Sequence, residues 1–494
     1  MTSKVIKAGK IVLIGSFISR GISAISSIVL ARLLYADDYG ALVLSAIIAG
    51  LITQIGSMGY EIYYLQFKGT EEEKQKVLGQ VFNLRLVTNS LLFLIQSTVG
   101  LCIILLTKYK MSGGIILLLS FSLLFEGINA PNDTILKSKM DFRKVTIGNI
   151  IKELVSTFGK IGGAVLGIGG YCFGVGPILG SLARMGYLLK VQKYKHDYFN
   201  WDRSVAKGAF DFGKHNLLGS AGMYLVQQTD RILLNIFFSR NIVGQYGFAW
   251  SNAAAPFRYL VMPQQQLILT YITTFRAGNP MLFEKLLIIQ RLIAVILFPL
   301  LAFNIYYTED VVRILFSERW LNVVPMVRIL LLYYSALSII FPYNSLLTGL
   351  GFPQINARLV LIKAFTLIPL LILVAVLFKG QIIPYLVVFC IISISFDLIK
   401  SFIGIRKIGV DIVYALKHFS NEIILVLLLI AGYFVSRFAF VPYLNSVMFT
   451  VTILAYLGII FIKDRIRTKD AIKIISKTNR FDFGSNKLNM RDPK

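Results

Sequence analysis

The sequence predicts an all-α integral membrane protein of about 14 transmembrane helices. They form two six-helix lobes related by a pseudo-twofold axis along the membrane normal, followed by an additional helix pair. Three observations predict this. Of 494 residues, 56% are hydrophobic and 15% charged, and mean hydropathy is +0.70; a soluble domain averages nearer about 25% charged. So much apolar surface requires lipid as the solvent. The second observation is a hairpin that occurs twice: sliding the chain by about 204 positions lays Leu234-Asn-Ile-Phe-Phe-Ser-Arg-Asn-Ile-Val-Gly244 on Leu30-Ala-Arg-Leu-Leu-Tyr-Ala-Asp-Asp-Tyr-Gly40. The third is charge: with the amino terminus inside, inner segments hold on the order of thirty Lys and Arg, and outer ones about eight.

The first lobe, residues 1–190, opens with Lys4, Lys7 and Lys10 before an apolar run. That run imitates a signal peptide, but it carries Arg20, is longer than an h-region and leads straight into another span, so it reads as an uncleaved first helix. Spans are expected at 11–34, 41–67, 80–106, 113–136, 145–168 and 170–190. Each is near the roughly 20 residues that cross a hydrocarbon core. Tyr35-Ala-Asp-Asp-Tyr-Gly40 is expected to be a tight turn. A hydrophilic cytoplasmic link, 191–208, follows.

The second lobe, 209–404, repeats the plan with spans at 209–238, 242–272, 285–307, 325–349, 355–378 and 381–404. A second repeat signal pairs Ile128-Asn-Ala-Pro-Asn-Asp with Phe341-Pro-Tyr-Asn-Ser, each with proline and asparagine near a helix end. Six spans separate equivalent hairpins, an even number, so both halves run in the same direction through the membrane. Residues 405–462 supply the helix pair (416–437 and 442–462), and 463–494 a basic cytoplasmic tail. Both termini are expected inside, and Thr308–Val324 is the only outer loop of any size.

The net charge of +26 suggests nucleic acid in a soluble chain, yet inner loops of membrane proteins collect Lys and Arg whatever they do. Cys102, Cys172 and Cys390 stand singly in apolar runs, and His196, His215 and His418 have no ligand spacing. No cofactor or metal is therefore expected. No carboxylate, His or Cys cluster stands at catalytic spacing and no Walker-type loop appears, so an enzyme or an ATP-driven pump is not expected.

A charge inside a membrane helix costs roughly 2.5–3.5 kcal/mol on insertion scales, so each asks for a partner or a wet cavity. Arg20 lies about ten residues into the first helix, with Ser16, Ser23 and Ser27 at helical spacing on its face. Arg258 lies mid-span in the eighth helix, aligned by the repeat with Gln54. Lys152, Glu153 and Lys160 mark the fifth span, Arg184 the sixth, Asp230 and Arg231 the seventh, and Lys363 the eleventh. Glu126 and Asp133 flank Pro131, Asp397 and Lys400 sit late in the twelfth, and Glu61 lies near the inner end of the second. The expected cavity cations are Arg20, Arg258, Lys152, Arg231 and Lys363. Asp230, Glu61 and Glu126 are the coupling or ion-pair acids. Snorkelling is the plain alternative for Lys152, Lys160, Arg184 and Lys363, and a local or interhelical ion pair for Asp230–Arg231 and Asp397–Lys400.

LARLLYADDYGALVLSAII after a Ser/Gly-bearing first helix, and PNDTILKSKMDFRKV closing span four, resemble the polysaccharide-synthesis, O-antigen-type flippases. These belong to the multidrug, oligosaccharidyl-lipid and polysaccharide exporter superfamily. The resemblance implies two lobes around a central cavity that opens alternately to each side of the bacterial cytoplasmic membrane. It implies as cargo an undecaprenyl-diphosphate-linked oligosaccharide, moved from the inner to the outer leaflet for surface polysaccharide assembly. It further implies membrane lipid and a polysaccharide polymerase with chain-length machinery as partners, and a monomer. A peptidoglycan-precursor flippase and a cation-coupled multidrug extruder share the layout. The extruder is expected to bury an acid in its first helix, where this chain has Arg20.

Overall fold

The computed structural model describes residues 2–56, 58–192, 201–438 and 444–463, and every regular element among them is helical. Helix α1 (Thr2–Leu33) leads through Leu34 and Tyr35 alone into α2 (Ala36–Gly56). The polar stretch expected as a turn is thus mostly the first turn of α2. Asp37 and Asp38 sit there, at the positive end of the helix dipole. The Asp38 carboxylate accepts from the backbone amides of Tyr35 at 2.9 Å and Gly170 at 2.7 Å, which pins the hairpin to the rest of its lobe.

The expected second span is broken. Gly59 takes a left-handed φ of 75°, open to glycine because it lacks Cβ, and α3 (Tyr60–Gln66) leaves at a new angle. A capping box of Thr70 and Glu73 starts α4 (Glu71–Leu106), nine residues before the position expected for span three. Then follow α5 (Lys110–Ser138), which runs unbroken through Pro131, α6 (Phe142–Val165), begun by Asp141, and α7 (Cys172–Val191). Small residues set the spacing inside this half. A Cβ on Gly100 would press on the Gly113 carbonyl, and one on Gly180 on the Lys152 carbonyl. Close backbone approach of this kind drives helix association where lipid is as apolar as the side chains.

In the second half, Asp202 caps α8 (Arg203–Gln227), so this helix starts inside the expected link. It ends at Gln228, and α9 (Thr229–Phe237) continues the span. The eighth span is in three pieces: α10 (Arg240–Ala253), α11 (Ala255–Leu260) and α12 (Gln265–Ile272), with Pro256 opening α11 and Pro263 in the break before α12. Next come α13 (Met281–Tyr306) and α14 (Thr308–Val311). A π segment at Val312–Phe316 and a 3-10 stretch at Glu318–Val323 lead into α15 (Val324–Ile340). The outer loop expected at 308–324 is therefore ordered helix. It buries Trp320 and Phe316 instead of standing in solvent. A 3-10 turn at Phe341–Ser345 leads to α16 (Leu346–Gly349), then α17 (Pro353–Leu377), α18 (Ile382–Lys407), α19 (Ile412–Phe438) and α20 (Leu444–Lys463). Parts of the expected link and of the final pair, and all of the basic tail beyond Lys463, lie outside the described residues.

Among the described residues nine helices are long and apolar enough to cross a membrane. Helices also occupy the five other segments expected as spans. Of these, α6 carries Lys152, Glu153 and Lys160, and α8 to α12 are interrupted. The chain is a multi-pass helical membrane protein.

The repeat is visible in the ends of the helices. Leu33 and Phe237 end α1 and α9, and Ala36 and Arg240 begin α2 and α10, each pair 204 positions apart. The halves touch chiefly through α2 against α10, with α8 against α2, α3 and α4. At that contact a Cβ on Gly40 would collide with the Arg240 carbonyl, and one on Gly244 with the Ala36 carbonyl. Residue and partner exchange roles under the 204-residue shift, the reciprocity a twofold contact requires.

Candidate functional site at the boundary of the two halves

The end of the bundle that carries both short turns (the hairpin face) is sealed by aromatic packing. Tyr39 of α2 meets Phe248 of α10 edge-on at 5.6 Å, Trp320 at 5.2 Å and Phe173 at 5.4 Å. Phe248 and Trp320 stack at 3.9 Å. Each such pair adds roughly 0.5–1.5 kcal/mol beyond the area it buries. The indole N–H of Trp320 donates to the Ala31 carbonyl at 2.8 Å across the boundary. Around this plug, Arg240 Nε donates to the Asp37 carbonyl at 2.9 Å, and Asn241 Nδ2 to the Asp37 carboxylate at 3.4 Å. Arg32 donates to the carbonyls of Ile314 and Leu315 in the π segment. At the opposite face α3 packs against α8, with Met58, Tyr60, Val77, Val81 and Ala209 in one apolar cluster.

Between the two faces lie the charges. Arg20 is half-buried. Its guanidinium donates to the carbonyls of Arg258 at 3.0 Å and Tyr259 at 3.1 Å, and lies over the Tyr259 ring at 5.8 Å. Those carbonyls sit at the end of α11, where the break in the eighth span leaves them without helical partners. The break thus builds an acceptor for a cation from the other half. Arg258 itself is exposed. Arg231 donates to Gln228 Oε1 at 2.8 Å and lies 5.3 Å over the Trp250 ring. Among the described residues none of these three guanidiniums has a carboxylate partner.

The other two expected cations are engaged. Lys152 pairs with Glu126, whose second oxygen lies 3.5 Å from Arg184; Arg184 in turn grips Asp133. Ser181 adds a hydroxyl to Glu126 at 3.2 Å. This network borders a cavity of about 440 Å³ inside the first half, which Arg85, Asn89 and Gln96 also line. Glu61, expected as a coupling or ion-pair acid, is held by Arg85 at 2.7 Å. Lys363 pairs with Asp397 at 3.9 Å, an ion pair between helices rather than within one. Asp230 likewise turns from Arg231: its carboxylate is buried and accepts from the Tyr246 hydroxyl at 2.5 Å. Asp230, Lys363, Asp397 and Lys400 border a second cavity of about 310 Å³, in the other half.

Sequence reasoning missed Arg85, Arg32, Tyr246 and Trp320. The signal for Arg85 was available, a lone cation in the third span facing Glu61. Tyr246 is one of 24 tyrosines, and no local pattern ties Trp320 to the other half. Among the described residues no group of three or more His, Cys, Asp or Glu converges as metal ligands do. What the site offers is a set of planar guanidinium donors at the boundary of two like halves, suited to a multiply charged oxyanion.

Comparison with known proteins adds the following. The family described as "Polysaccharide biosynthesis protein" matches residues 29–325. Teichuronic acid biosynthesis protein TuaB of Bacillus subtilis (strain 168) is 23% identical over 165 residues, 33% of this chain and 34% of that protein. The match thus spans about a third of that relative's length. Among solved structures, "Lipid II flippase MurJ, inward closed conformation" is similar with a TM-score of 0.69 at 18% identity, over 92% of this chain and 99% of that one. An inward-facing multidrug resistance MATE family transporter of the MOP superfamily gives 0.58 at 12% identity, over 79% and 94%. At these identities the likeness shows the fold, that of the MOP-superfamily transporters.

Proposed function

The chain belongs to the polysaccharide biosynthesis protein family, and on that premise we propose that it is a flippase for an undecaprenyl-diphosphate-linked oligosaccharide. It moves the cargo from the inner to the outer leaflet of the bacterial cytoplasmic membrane by alternating access, with both termini and the α3–α8 contact inside and the hairpin face outside. The observation that carries this reading is Arg20, bridging the two halves at mid-depth with Arg258 beside it and, among the described residues, no carboxylate paired with either. A diphosphate cannot cross hydrocarbon uncompensated. Two guanidiniums from opposite halves replace its hydration while the lipid tail stays in the bilayer. Binding stays moderate, because a site too tight would stall release. Lys152 and Lys363, already paired, hold their own halves together and tune the charge of the two cavities.

Surface-polysaccharide complementation at matched expression tests this. Arg20→Ala with Arg258→Ala is expected to abolish export while insertion is retained, and Arg20→Lys to keep part of it, since charge survives but the bidentate fork does not. Full export by the double variant removes both residues from the site. A second reading has support in the fold likeness to the lipid II flippase, whose named cargo is also a lipid. Rescue of a lipid II flippase depletion, with no effect on surface polysaccharide, would favour it.

A further inference from the structure

We infer that the slot of about 350 Å³ beside α11 seats the first isoprene units of the cargo's tail while its diphosphate is at Arg20. The slot lies between α10, α11, α13 and the π segment, and its walls include Phe248, Pro256, Leu260, Leu300, Val311 and Leu315. Among its polar side chains, the amides of Asn252 and Asn304 donate back to the carbonyls of Phe248 and Leu300, each at 2.8 Å, and the Thr308 hydroxyl to the Ile305 carbonyl at 3.0 Å. These bonds lie within the helices, so an apolar chain leaves them intact. Leu300 and Leu315 are 38% and 37% exposed, so the slot is open along an apolar edge.

Its two ends meet the two straps that α1 throws across to the second half. Tyr259 and Leu260 are at the mid-depth end, and the Tyr259 carbonyl is one of the two that Arg20 holds. Leu315 is at the hairpin-face end, and its carbonyl takes Arg32 at 2.9 Å. A charged phosphate oxygen is a stronger acceptor than a carbonyl. A diphosphate arriving at Arg20 would therefore exchange for the α11 carbonyls and sit at the mouth of the slot. The slot lies on the hairpin side of Arg20, which fits a lipid whose headgroup still points inward and whose tail points outward. It is the seat of the lipid before reorientation, and the tail leaves it as the headgroup crosses. This assignment rests on the reading that the cargo is a prenyl-diphosphate lipid; a bulk phospholipid is the competing occupant.

The test uses the full chain in phosphatidylglycerol-containing vesicles, with a photoreactive side chain at Leu300 or, as a control on exposed α17, at Leu361. Labelled undecaprenyl diphosphate is expected to be captured at Leu300 about tenfold above Leu361 and displaced by unlabelled undecaprenyl diphosphate, not by added phosphatidylglycerol. Ala255→Phe, which fills the slot, is expected to weaken undecaprenyl diphosphate binding about tenfold while inorganic pyrophosphate binds as before. Equal capture at both positions, or displacement by phosphatidylglycerol, overturns the slot. Undecaprenyl diphosphate binding unchanged by Ala255→Phe also overturns it, yet leaves the flippase reading standing. No binding of undecaprenyl diphosphate by the unmodified chain overturns both.

Discussion

Arg184 shows how charge is kept inside a membrane helix. Its side chain is 8% exposed and lies between Glu126 and Asp133, the latter 10% exposed. Removing one member of such a group leaves uncompensated charge in low dielectric, at a cost of roughly 3–5 kcal/mol. Arg184→Ala strands two carboxylates, one of which retains Lys152 and the other only Lys137 at 3.9 Å. We expect it to lower stability by about 3 kcal/mol in reversible denaturant unfolding of the purified protein. A loss under about 1 kcal/mol would mean that water in the adjoining cavity solvates the acids. The positions of most buried charges were legible, because a lone Arg or Glu in an apolar run is conspicuous. Their partners were not. Asp397 reaches back to Lys363 on another helix rather than to Lys400 on its own, and Asp230 reaches Tyr246 rather than its neighbour Arg231, because interhelical rotation decides these contacts and no local pattern encodes it.

At the scale of elements, the hairpin carries the repeat and closes one face. Gly40 and Gly244 permit α2 and α10 to touch at backbone distance, and any Cβ there meets a carbonyl that cannot move aside. Overpacking of this kind costs typically about 1–3 kcal/mol. Gly244→Ala acts on the closed hairpin face alone and is expected to shift the halves toward separation. A cysteine at Ala36, itself in the contact, should then react several-fold faster with a membrane-impermeant maleimide; an unchanged rate would show that the contact does not gate access. The shared glycine and the 204-residue offset were readable, since turn position and hydropathy survive when identity does not. The breaks were less so. Pro256, Pro263 and Gly59 announce interruptions in the second and eighth spans, yet apolar residues on both sides make each read as one long helix. The ordered 308–323 stretch has only Glu309, Asp310, Arg313, Glu318 and Arg319 to suggest solvent. Trp320 and Phe316, which fix it to the plug, look in sequence like any other aromatics.

At the scale of the molecule, composition was enough to read a helical membrane protein, and the repeated hairpin to expect two like halves. Hydropathy sees the nine plainly apolar helices. It misses α6, which carries Lys152, Glu153 and Lys160, and the interrupted stretch from α8 to α12. The breaks that obscure the eighth span are those that give the boundary its acceptor carbonyls. On the flippase reading proposed above, the hairpin face parts so that cargo held at Arg20 leaves outward. The measurement that tests this most directly is a disulfide across that face. Asp37 and Asn241 are in side-chain contact at 3.4 Å. Asp37→Cys with Asn241→Cys, in a chain whose Cys102, Cys172 and Cys390 are replaced by alanine, should cross-link on mild oxidation. In proteoliposomes, transfer of labelled undecaprenyl-diphosphate oligosaccharide to the outer leaflet is expected to stop when the bond forms and to return on reduction. Undiminished transfer by quantitatively cross-linked protein would contradict an opening at the hairpin face, and alternating access between the two halves with it.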